Sequence, residues 1–202
     1  MRAWRIVGVM MVLLRMLSAD QADASDGRRE LVVRTYDDFG VSPGERETAT
    51  TTAREIFRNV AIDVIWRNCA IAVAEPACDA SLGTRELSVQ FVRSPDAETW
   101  AVLGNSLVDA TNQGGGSLCR IFVDRVHNLA ASAGVDRGTL LGRAMAHEVG
   151  HLLLGTNEHS RYGLMRPRWD AAELTRDDFL DWTLSRAQGE RMRRGLAARD
   201  RP

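Results

Sequence analysis

The chain has 202 residues, 45% hydrophobic and 26% charged, with 26 basic against 27 acidic side chains and a formal net charge of -1. That length supports one sizeable core, or two small lobes around a cleft, and is too short for several independent domains. The even charge balance excludes the global basic excess that drives nucleic-acid or anionic-membrane binding, and an ordinary apolar content without short repeats excludes fibrous and disordered classes.

Residues 1–24 read MRAWRIVGVMMVLLRMLSADQADA. Arg2 and Arg5 supply a positive start, residues 6–14 an apolar stretch, and Ala22-Asp23-Ala24 a small-x-small cleavage site. Arg15 interrupts the stretch, which is too short to span a ~30 Å hydrocarbon core comfortably. A cleaved signal peptide is expected, with an exported chain starting at Ser25, secreted or periplasmic and without stable membrane association. Export gives meaning to the cysteines. Cys69 and Cys78 bracket a short loop and are expected to join, whereas Cys119 alternates inward with Ile121 and Val123 and is expected to be a buried, inert thiol.

A β-rich run at 31–38 predicts a strand, and Ser42-Pro43-Gly44-Glu45 has capping-box spacing with proline at the first helical position. Ala49, Ala53, Ile56, Phe57 and Val60 then share one helical face, and 62–69 returns as a strand. Strand, helix, strand within so few residues predicts a parallel crossover unit. Further strands are expected over 85–93 and 117–126, and a weaker one over 101–108, an edge that could pair with an extended peptide. The Asn112–Gly116 run between them reads as a turn or a mobile rim of the cleft. Asp136 can cap a largely buried helix running to Leu154, and Gly155 suits the left-handed position that ends it. After Trp169 the chain reads as helical over 170–174, 176–183 and from Ser185 onward, where Ser185 and Gln188 have capping-box spacing and Arg186, Arg191, Arg193, Arg194 and Arg199 make a basic, solvated face.

Three of the four histidines fall in the 13 residues from His147 to His159, within HEVGHLLLGTNEHSRYGLM. His147 and His151 are one helical turn apart on one face, so both imidazoles can meet one metal ion. Glu148 is offset around the axis, where it reaches a water beside the metal rather than the metal itself. His159, brought back by the reversal after Gly155, is the third candidate ligand, with Glu158 and Glu173 as competing donors. Zinc held by three neutral imidazoles keeps a fourth position for water and lowers its pKa toward about 7, and Glu148 is the candidate general base. Tyr162 reads as an exposed loop tyrosine, with hydrogen bonding to an oxyanion as its other role, His127 as a satisfied histidine, and Pro167 and Trp169 as packing for the turn after Met165.

With these residues the sequence resembles the metzincin clan of zinc metallopeptidases, whose signature is H-E-x-x-H-x-x-G-x-x-H followed by a Met-containing turn. His147, Glu148 and His151 match its first part; Gly155 and His159 look like the glycine turn and third ligand; Gly163-Leu164-Met165 looks like the Met-turn. HEVGHLLLG with the following HS-x-x-GLM-R-x-R-W is also similar to a group of uncharacterised secreted bacterial zinc peptidases. The departures are specific: Gly155 falls one position late, and seven residues rather than five separate His151 from His159. The resemblance, covering most of 31–169, implies an α/β (α+β) fold with a mixed twisted sheet, a crossover helix, a buried active-site helix, a Met-turn and C-terminal helices. It also implies one domain over 25–202, helical over 170–202, binding one catalytic zinc and acting as an endopeptidase on peptide or protein substrates. Too few residues precede the first strand for a large inhibitory propeptide, so control by a separate protein inhibitor is expected. The other functions in view are a zinc-containing binding module without catalysis and a hydrolase of a non-peptide, cell-wall amide.

Overall fold

A computed structural model describes residues 29–69, 76–95, 102–108 and 116–200; the expected signal peptide at 1–24 and the first part of the glycine run lie outside the described residues. Strand β1 (Arg29–Asp37) buries Leu31 and Val33. Helix α1 (Pro43–Arg58) starts where the sequence signals it, with Ser42 Oγ accepting from the Glu45 N–H at 3.3 Å, and buries Ala49, Ala53, Ile56 and Phe57. Strand β2 (Ile62–Asn68) then pairs with β1 in parallel, Arg29 opposite Ile62, completing the expected crossover unit. A short helix, α2 (Pro76–Asp79), carries Cys78, which is disulfide-bonded to Cys69. Strands β3 (Glu86–Val92), β4 (Gly104–Ser106) and β5 (Leu118–Phe122) complete a mixed sheet of order β2-β1-β3-β5-β4, parallel except for β4. The fold is thus a mixed α/β (α+β) unit, and β4, only three residues long, is a sheet edge.

One expected strand is half helix. Over 117–126 the strand stops at Phe122, and α3 (Val123–Ala133) begins at once. Val123, Val126 and Ala130 are spaced for one helical face and all three are fully buried, so tertiary burial decides the helix over the β-branched local preference. Cys119 is buried in β5 as expected, but Val123 is buried from the helix. The expected 176–183 helix is likewise interrupted. Helix α5 (Ala171–Arg176) ends as Asp177 takes φ 51°, and a separate 3-10 turn, Phe179–Trp182, follows.

Helix α4 (Arg137–Leu154) is capped by Asp136, whose carboxylate accepts from the Thr139 N–H at 2.7 Å, and ends at Gly155 with φ 67°. That left-handed conformation carries little steric cost for glycine, and the reversal turns the chain back along the helix. Helices α1 and α4 pack on each other; α4 also contacts β3, β4, β5 and α3, and α6 (Arg186–Ala198) packs on α4. This surrounds α4 on nearly every side and explains why fifteen of its residues are buried, both histidines included. Among the described residues no helix is long and apolar enough to cross a membrane.

Candidate metal centre

His147 and His151 lie on consecutive turns of α4, 8% and 4% exposed. Each ring is oriented by a main-chain carbonyl: His147 Nδ1 is 2.9 Å from Leu164 O, and His151 Nδ1 is 2.9 Å from Thr156 O. A carbonyl only accepts, so each Nδ1 carries the proton and each Nε2 presents a lone pair. The two Nε2 atoms are 3.0 Å apart. Burial pushes the His147 pKa down to about 3, helped by the neighbouring His151 and His159, and burial also lowers the pKa of His151. Both rings are therefore neutral at pH 7, with no proton to share between the facing lone pairs. Such a contact is repulsive unless a cation accepts both, and two nitrogens at ~2.0–2.1 Å from one tetrahedral ion stand about 3.3 Å apart.

His159 completes the group. Its ring centroid is 5.3 Å from that of His147 and 4.9 Å from that of His151, and ligand atoms of all three lie within 4.8 Å of one another. It is exposed where the other two are buried, yet partial burial still lowers its pKa toward the neutral form. The three imidazoles can hold a metal ion. The two-residue-longer loop between His151 and His159 therefore does not prevent His159 from reaching the cluster. Glu158 is not part of the cluster, nor is Glu173, which caps α5 through the Asp170 N–H at 3.0 Å and accepts from Arg166 Nη1 at 2.6 Å. No protein-family model matches the chain, and no curated protein matches it either.

The cluster opens into a cleft of about 250 Å³. Its walls are the edge strand β4 with the two residues before it, Val102 and Leu103, and the strap from Arg166 to Trp169. Glu148 lines it, 7% exposed, with burial raising the carboxyl pKa to about 7 against the opposing effect of a hydrogen bond from Ser106. Ser106 Oγ lies 2.6 Å from Glu148 Oε2 and 2.8 Å from the main-chain oxygen of Glu148. Gly104 fits closely on the same carboxylate: a Cβ there would stand 2.8 Å from Glu148 Cγ and 2.6 Å from Arg120 O. Trp169 packs as expected, its ring meeting Trp182 edge-to-face at 5.4 Å, and it also meets His147 at 5.6 Å. Met165 is buried against α4, where a Cβ on Gly150 would be 2.8 Å from its Sδ.

Three residues noted in the sequence stay outside the centre. Tyr162 is 72% exposed and does not line the cleft. His127 sits on α3, its Nε2 2.6 Å from Glu45 Oε1, a satisfied histidine as its setting suggested. Cys119 is fully buried, and that burial holds its thiol well above the ordinary pKa, so it is inert. Ser106 and Gly104 are the residues that sequence reasoning missed. The only available signal was their place in a weak strand expected at the sheet edge.

Proposed function

We propose that the protein is an exported zinc-dependent endopeptidase of metzincin type. The observation that carries this reading is the convergence of three neutral imidazoles with a buried carboxylate beside them and a sheet edge along the same cleft that has no further strand partner among the described residues. Three nitrogen donors without thiolates suit zinc and leave its fourth position open, the pattern of a catalytic rather than a structural site. Zinc held by His147, His151 and His159 would supply a Lewis acid that acidifies water and polarises the scissile carbonyl. Glu148 takes the proton of the attacking water and passes it to the departing amine nitrogen as the C–N bond breaks. A carboxyl poised near pH 7 suits both halves of that transfer.

The edge strand supplies orientation. The Leu107 N–H donates to Leu118 O at 3.0 Å and the Phe122 N–H to Leu103 O at 2.8 Å, so β4 binds β5 through its odd-numbered residues. In an antiparallel ladder the alternate residues, Gly104 and Ser106, turn their N–H groups the other way, toward the side of β4 that no described strand occupies. An extended substrate main chain adding there lies beside Glu148 and the imidazoles.

The test compares the wild-type protein with Glu148→Ala, measuring zinc by mass spectrometry and cleavage of a mixed peptide library. One zinc per chain in both, with cleavage falling about 10²–10⁴-fold in the variant, is the expected result. Zinc in both with cleavage by neither rejects the peptidase; a cell-wall amide substrate then separates the non-peptide hydrolase from the binding module.

A further inference from the structure

We infer that the edge strand sets the position of the base: Ser106 is a positioning residue that holds the Glu148 carboxylate, and Gly104 leaves the space in which it sits. This rests on the proposed role of Glu148. In β4 the side chains alternate, so positions 104 and 106 share one face, and their partners in β5, Ile121 and Cys119, are both fully buried beneath α4. Position 105 faces the other way, opposite Arg120. The face that meets Glu148 therefore offers one hydroxyl and one bare α-carbon.

Each has a specific effect. Ser106 Oγ is 2.6 Å from Oε2, while Oε1 stands beside the bare Cα of Gly104, where an added Cβ would be 2.9 Å away. A buried carboxylate without a donor would be costly and free to swing, and the Ser106 hydroxyl satisfies one oxygen while leaving the other for proton transfer. The same hydroxyl is 2.8 Å from the main-chain oxygen of Glu148, so it has an acceptor on the backbone of α4 as well as on the side chain. The Ser106 main-chain N–H faces the side of β4 opposite β5, where no described strand lies. One residue thus meets the incoming main chain with its backbone and the base with its side chain. Removing the hydroxyl alone leaves the backbone edge intact, so substrate binding is retained and turnover falls.

The experiment takes wild type, Ser106→Ala and Ser106→Thr. Zinc-free crystal structures read the Glu148 side chain directly: one conformer against position 106 in wild type and Ser106→Thr, and two or more in Ser106→Ala. Kinetics with zinc read the consequence: kcat falling at least 10-fold in Ser106→Ala with KM within 2-fold and zinc at one per chain, and most of kcat regained in Ser106→Thr. A single unchanged Glu148 conformer in Ser106→Ala overturns the inference, as does an unchanged kcat or a loss confined to KM or to zinc content. Release of Glu148 in Ser106→Ala without peptide cleavage by any of the three proteins upholds the positioning role and rejects the peptidase.

Discussion

His147 is oriented through one end of its ring and meets its fellow candidate ligand at the other. Its Nδ1 meets Leu164 O, and its Nε2 faces that of His151. Leu164 is held in turn by its own N–H, which donates to Thr183 O at 2.9 Å, and Met165 beside it is packed into α4 at Gly150. The turn carrying Leu164 and Met165 thus sets the tautomer and angle of a candidate ligand, and outer partners of this kind are worth 10–100-fold in metal affinity. Gly150→Ala places a methyl 2.8 Å from Met165 Sδ, which must shift, and 3.2 Å from Met192 Cε, which must give slightly, in side chains that are both buried. A stability loss of about 1–3 kcal/mol is expected from this overpacking. Metal affinity should fall about 10-fold as Leu164 O moves with Met165. Urea midpoints and chelator competition measure the two; unchanged affinity alongside the stability loss would reduce Met165 to a core residue. At this scale the sequence was most informative for His147, Glu148 and His151, because one helical turn relates them. Ser106 and Gly104 were not readable, because the Ser106–Glu148 contact spans 42 residues and both contacts depend on how β4 meets α4.

The elements were legible where a local signal carries its own physics. Ser42, Asp136 and Ser185 each cap a helix through the bond their spacing implies; the structure adds Asp170 as the cap of α5. Residues 117–126 misled because Ile121, Val123 and Val126 are all β-branched, and only burial against α4 shows where alternation gives way to helical spacing. The approach of α1 to α4 was equally invisible, since a glycine in a helix pattern does not reveal what lies opposite. At Gly142 a Cβ would collide with the Ala49 carbonyl oxygen, and at Gly138 it would stand 2.6 Å from Thr48 Cβ. A backbone oxygen cannot rotate aside, so Gly142→Ala must push the helices apart and should cost about 3 kcal/mol. Gly44→Ala, with nothing within 4 Å of the added carbon, is the control and should change stability by less than about 1 kcal/mol. Urea denaturation of both variants measures the difference; because alanine is the better helix former, an unchanged or higher stability in Gly142→Ala would show that close approach does not govern that position.

Across the whole molecule, two charged clusters fasten segments that the sequence leaves far apart. On the candidate-site side, Arg143 of α4 lies over the Trp182 ring at 3.9 Å and pairs with Asp177, tying the C-terminal part to the buried helix. The other cluster is centred on Glu86, at the start of β3. Its carboxylate accepts from Arg34 of β1, from Arg67 Nη1 of β2 at 3.1 Å and from the Gly83 N–H at 2.9 Å, while Arg34 also donates to Ala80 O at 2.6 Å. None of these residues lines the candidate cleft, so the cluster can be tested without disturbing the histidines. Burial opposes the charged form of Glu86, but the Gly83 N–H, Arg34 and Arg67 together outweigh it and hold the carboxyl below its ordinary pKa. A carboxyl depressed in the folded state stabilises the fold fully above its unfolded pKa of about 4.3 and loses that contribution as pH falls through the lower folded value. Glu86→Gln removes the charge and leaves the buried Arg34 without its carboxylate, which should cost about 3 kcal/mol at pH 7. Because glutamine does not titrate, the gap between wild type and variant should narrow as pH drops below about 4. Urea midpoints from pH 7 down to pH 3 read this directly, and a gap that stays constant across the range would show that Glu86 acts by packing and not by charge.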